Sequence, residues 1–126
     1  MLHSVPLIIA ALIALGIIAI GAFYIATPRR ILHGFGLNPP ADDSNTLAWL
    51  RLKGIRDIAS GLVVLTLMLA GDDRTVGIVL LVFAIIPFGD MSNILASRGR
   101  KATAFGVHGV TCLVMVVVGA LLAHAI

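Results

Sequence analysis

Arg56, Asp57, Asp90 and His108 are ionisable side chains set within apolar stretches, where a charged group costs ~2.5–3.5 kcal/mol to insert near a bilayer centre and seldom stays without a partner. Two carboxylates and an imidazole around one cation are the ingredients of acid–base chemistry. Burial disfavours the charged forms and opposite charges favour them, so one proton shared among Asp57, Asp90 and His108 is expected near neutral pH. Arg56 would orient an oxygen or anion, Asp57 and Asp90 would act as base and acid, and His108 would relay the proton. Helical steps of three and four extend each contribution. Lys53, Arg56, Asp57 and Ser60 share a face, as do Asp90 with Asn93 and His108 with Thr111 and Cys112. Lys53, Ser60, Asn93 and Thr111 are therefore candidate ligand contacts. Tyr24 reads first as an interfacial anchor and second as a hydroxyl reaching the charged site. Arg51 and Lys53 lie near enough to a helix start to snorkel.

The elements that must position these residues are four apolar segments, at about 4–27, 47–70, 75–96 and 102–126. Each is long enough, at ~1.5 Å per residue, to cross a ~30 Å hydrocarbon core. The first carries no charge. It exceeds a signal-peptide core and is preceded by no Lys or Arg, so it is expected to remain as a helix. Ala10, Ala14, Gly16 and Gly21 would let another helix approach it closely. Pro28 ends it, and the basic, apolar stretch Arg29–Leu37 suits an elbow lying along headgroups. Asp42 to Thr46 offers N-caps for the second segment, and Gly71-Asp72-Asp73-Arg74 is a tight turn into the third. Pro87 should kink that third segment one turn before Asp90.

Lys and Arg crowd the first and third connections, at Arg29, Arg30, Arg98, Arg100 and Lys101, whereas the second has only Arg74. Both termini are therefore expected away from the cytoplasm. The predicted architecture is all-α: one domain over 1–126, a four-transmembrane-helix bundle with up-down antiparallel order. Counting residues from the cytoplasmic helix ends puts Arg56, Asp57, Asp90 and His108 in one layer roughly 9–15 Å deep. On the far side Val63, Leu67, Val79, Phe83, Met115 and Val118 would form an apolar plug, against an open water channel.

Composition narrows the partners. The 126 residues are 60% hydrophobic and 12% charged, which marks an integral membrane protein and leaves no residues for a soluble head. All six acidic residues are Asp, and the net charge of +3 comes from loop Lys and Arg rather than a face that could track nucleic acid. The lone Cys112 excludes an intrachain disulfide and reads as a small buried hydrophobe. His33 reads as a solvated loop histidine. No metal or other cofactor is expected: Arg56 opposes a cation in the layer, and His3 and His124 sit at the opposite side.

At Lys53-Gly54-Ile55-Arg56-Asp57, Pro87-Phe88-Gly89-Asp90 and His108-Gly109 the chain resembles a family of small four-helix membrane proteins catalogued as a domain of unknown function, itself similar to the DoxX-like group. The resemblance implies the fold and the position of a site at these residues. Some DoxX-like relatives are linked to quinone or thiosulfate redox chemistry, but no redox ligand or paired cysteine supports that activity here.

The expected function is a membrane-embedded site, entered from the cytoplasmic leaflet, for a small lipophilic or amphipathic molecule, with isomerisation or cyclisation as the natural reaction class for an enzyme. A small proton-coupled transporter is the alternative; it would be a homo-oligomer, since four helices enclose little volume. The third reading is an accessory subunit whose polar groups merely fix packing, at ~0.6 kcal/mol per interaction. Membrane lipid is the surrounding partner in every case.

Overall fold

The computed structural model describes residues 4–124 and is all-α, with no strand among the described residues. Helix α1 (Ser4–Ala26) stops at Thr27, where Pro28 opens the short α2 (Pro28–Ile31) and a 3-10 turn follows over Leu32–Gly34. Gly36 adopts φ +104, a left-handed conformation that favours glycine, and turns the chain back across the end of the bundle. Helix α3 (Ser44–Ala70) begins three residues before the expected start because Asp43 caps it, its Oδ1 accepting from Thr46 N at 2.7 Å. Asp72 caps α4 (Asp73–Phe83) in the same way through Thr75 N at 2.8 Å.

These backbone amide bonds hold both carboxyls below their ordinary 3.8. A depressed folded-state value means that each cap stabilises above the unfolded pKa and is lost as pH falls through the folded one. Tm should therefore fall on acidification below about pH 4, and an Asp43→Asn, Asp72→Asn protein, whose caps carry no charge, should show a flatter profile there.

Instead of four unbroken helices, the chain has two interrupted ones. The third segment is divided at Ala84 into α4 and α5 (Ile85–Ala96). Pro87 has no N–H for the Phe83 carbonyl one turn earlier, which loosens the ladder at this break. The fourth comprises α6 (Lys101–Thr103), a π-helical stretch over Ala104–Gly109, and α7 (Val110–Leu122). The expected end at 126 lies outside the described residues. Three helical spans, Ser4–Ala26, Asp73–Ala96 and Lys101–Leu122, are long and apolar enough to cross a membrane. Side chains such as Leu12, Leu69, Ile85 and Leu113 are exposed on their outer faces, as contact with lipid requires.

Packing follows the small residues. Helix α1 runs antiparallel to α3, Gly21 facing Gly54 and Ala14 facing Gly61. A Cβ on Gly54 would lie 2.5 Å from the Gly21 carbonyl oxygen, so the two backbones are in direct contact. Gly77 of α4 meets Gly119 of α7 in the same manner. Ala10, Ala14, Val64, Leu80, Met115 and Val118 seal one end of the bundle. Val64 takes the place expected for Val63, which faces outward, while Leu67, Val79 and Phe83 pack around this core.

At the other end the two helix pairs separate. Beyond the Ala84 break, α5 packs chiefly on the π-helical stretch, with α4, α6 and α7 beside it. The wedge this opens is closed from below by the 32–36 elbow, whose Gly36 carbonyl accepts from Arg100 N at 2.8 Å and whose His33 carbonyl accepts from the Arg100 guanidinium. The elbow thus folds into the bundle instead of lying only along headgroups.

Candidate functional site

Lys53 and Asp57 lie one turn apart on the inner face of α3, and Lys53 Nζ reaches Asp57 Oδ2 at 2.6 Å. Asp57 is only 7% exposed, because its Cβ sits against Gly21 at the α1–α3 contact. The Lys53 ammonium lies over the Tyr24 ring at 4.6 Å and the Phe35 ring at 5.4 Å, where the π faces favour a cation. Tyr24 is itself buried, and its ring belongs to the site, not to the membrane interface.

Arg56, expected as the counter-ion, does not enter this arrangement. At roughly 100° per residue it points about 100° away from Asp57 around α3. Its side chain is exposed and forms no ion pair among the described residues, and its carbonyl accepts from Ser60 Oγ at 2.9 Å. Lys53 is the cation of the layer.

Across the wedge, His108 Nδ1 lies 3.6 Å from Asp90 Oδ2 and His108 Nε2 lies 3.2 Å from the Phe35 carbonyl oxygen. A carbonyl can only accept, so Nε2 carries a hydrogen in this hydrogen bond. Nδ1 is thus the ring nitrogen turned towards the Asp90 carboxyl. His108 belongs to the π-helical stretch, a distortion frequent at functional sites, and its ring packs at 4.8 Å on that of Phe35. The expected single cluster is two adjoining pairs, Lys53 with Asp57 and His108 with Asp90.

Between them lies a cavity of about 380 Å³. Tyr24, Lys53, Ser60, Asp90, His108 and Thr111 supply its polar groups; Ile13, Ile17, Val64, Phe83 and Met115 are among its apolar walls. Asp57 stands behind Lys53. Asn93, expected on the same face as Asp90, is exposed and does not line the cavity, since the next turn of α5 carries it outward. Gly16 mediates no helix contact: nothing lies within 4 Å of where its Cβ would stand, and it borders the cavity.

Sequence reasoning missed Phe35, which supplies a ring to Lys53 and His108 and a carbonyl to His108. Its one signal is a lone aromatic between Gly34 and Gly36. Among the described residues no three His, Cys, Asp or Glu side chains gather where a metal ion could be held; His3 lies outside them. Chemically, the arrangement can donate hydrogen bonds to an oxygen and exchange a proton with it beside an apolar surface.

No curated protein and no solved structure matches the chain. A family model described as Domain of unknown function (DUF4267) matches residues 14–122, which include every polar group of the cavity from Tyr24 to Thr111. The chain belongs to this DUF4267 family.

Proposed function

We propose that the protein is a four-pass, up-down antiparallel membrane bundle that binds a small lipophilic or amphipathic molecule and exchanges a proton with it at Asp90 and His108. The observation that carries this reading is the cavity itself, about 380 Å³ with apolar walls and one polar end. Its size falls within the ~300–1,000 Å³ usual for small-molecule sites. An accessory subunit whose polar groups serve packing alone has no need of such a space. Acid–base isomerisation is the reaction class that the His108–Asp90 pair suits best.

Protein extracted with organic solvent after purification should release a lipophilic compound that Gly16→Leu protein, with a bulky side chain at the cavity's border, does not retain. Identical extracts from the two proteins would sink the proposal.

The Arg100–Gly36 bond supports a common end for the first and third connections, and Arg29, Arg30, Arg98 and Lys101 lie close by in sequence. By the positive-inside rule that end is cytoplasmic and both termini are outside. Single cysteines at the exposed positions Arg30, Arg74 and Lys101, in a Cys112→Ser background, should be labelled from outside intact cells only at position 74. Labelling at 30 or 101 instead would invert the bundle and move cavity entry to the outer leaflet.

A further inference from the structure

We infer that the polar end of the cavity receives the oxygen of an uncharged carbonyl compound with an apolar body, such as a ketone or enone, and rejects organic anions and cations. This rests on the reading of the cavity as a ligand site and adds the class of molecule it takes.

The first ground is charge. The ionisable groups facing the cavity are Lys53 on α3, Asp90 on α5, His108 on the π-helical stretch and Tyr24 on α1, with Asp57 behind Lys53. Lys53 is already paired with Asp57, and Asp90 with His108. Each ionisable group of the layer except Tyr24 thus has a partner before any ligand enters. A carboxylate or sulfonate would add a buried charge with no free partner, and an ammonium would face Lys53 across apolar walls.

The second ground is the set of donors. Tyr24 is only 3% exposed, yet its hydroxyl makes no hydrogen bond among the described residues. It is not sealed off either, for no buried side-chain polar atom among them lacks a partner, so its remaining accessible surface opens onto the cavity that the residue lines. A buried tyrosine hydroxyl ordinarily finds a partner, and here the space in front of it is where one would sit. Lys53 has three N–H donors and spends one on Asp57 Oδ2. Donors of this kind around apolar walls match a carbonyl oxygen, which accepts two hydrogen bonds and carries no net charge. The volume accommodates about a dozen heavy atoms at the ~30 Å³ of a water molecule in the liquid.

The test compares 2-decanone, decane, decanesulfonate and decyltrimethylammonium at equal mole fraction in lipid nanodiscs holding the full chain. Tm shifts are measured for wild type, Gly16→Leu and Tyr24→Phe. Subtracting the Gly16→Leu shift removes general effects on the bilayer, and because a Cβ at Gly16 meets nothing, that variant is expected to fold with an unchanged or higher Tm in the absence of added compound. The expected result is a cavity-dependent rise of roughly 3 °C or more for 2-decanone, a smaller one for decane, and none for the two ions. Tyr24→Phe should lower the ketone shift towards that of decane and leave the decane shift in place. Decanesulfonate or decyltrimethylammonium matching the ketone, or decane equalling it, would overturn the inference while leaving the cavity as a ligand site. If no compound gives a shift that Gly16→Leu abolishes, the ligand-site reading falls and the inference with it.

Discussion

Lys53→Met is expected to destabilise the protein by about 3–5 kcal/mol, the usual consequence of leaving a buried charge without its partner. Asp57 is 7% exposed and pressed against Gly21, so its carboxylate would be left nearly buried with no cation beside it. Asp57→Asn in the same background removes the orphaned charge at nearly constant shape and should recover most of the loss. Asp57→Asn alone should cost less, because Lys53 is 31% exposed and retains two aromatic faces. The double-mutant cycle on thermal stability in one detergent should therefore show coupling above about 1.5 kcal/mol. Arg56→Ala provides the contrast. Its side chain is exposed, and its effect should stay within about 0.5 kcal/mol and add to that of Asp90→Asn. A mild, additive Lys53→Met, or strong coupling between Arg56 and Asp90, would mean that the charge layer is organised around the other cation.

Gly54→Leu should also lower stability, for a steric reason. The first added carbon would lie 2.5 Å from the Gly21 carbonyl oxygen and 2.9 Å from the Tyr24 Cβ. A backbone oxygen cannot yield as a flexible side chain does, so α1 and α3 must part. Overpacking of this kind costs about 1–3 kcal/mol and sometimes more, which exceeds the ~1 kcal/mol that leucine gains over glycine in helix propensity. Parting the helices also uncovers Asp57 and shifts Tyr24, so ligand binding should weaken together with Tm. Gly16→Leu, with open space before it, keeps the propensity gain and should leave Tm unchanged or raised. Equal losses at the two positions would show that the α1–α3 contact is looser than its glycines imply.

The contrast between these two glycines marks how much of the molecule is legible in one dimension. Apolar run length, Pro28, the Gly71 turn and the cap offered by Asp43 are local features, and they determine where helices start and stop because hydrogen bonding and desolvation of the backbone act over a few residues. Asp90 and His108 were also legible as neighbours, since equal counts from two helix ends at one end of a bundle imply equal depth. What residue counting leaves open is rotation about each helix axis. Lys53 and Arg56 stand three residues apart with the same charge, and only the packing of α3 on α1, set by Gly21 with Gly54 and Ala14 with Gly61, turns Lys53 inward and Arg56 outward. Rotation likewise separates Gly16, which borders empty space, from Gly21, which touches a backbone, and carries Asn93 away from Asp90. The place of Phe35 depended on a contact made 73 residues along the chain, at His108. The π-helical stretch and the break at Ala84 are small shifts in backbone hydrogen bonding where tertiary packing outweighs local preference, and between them they open the cavity that no residue spacing announces.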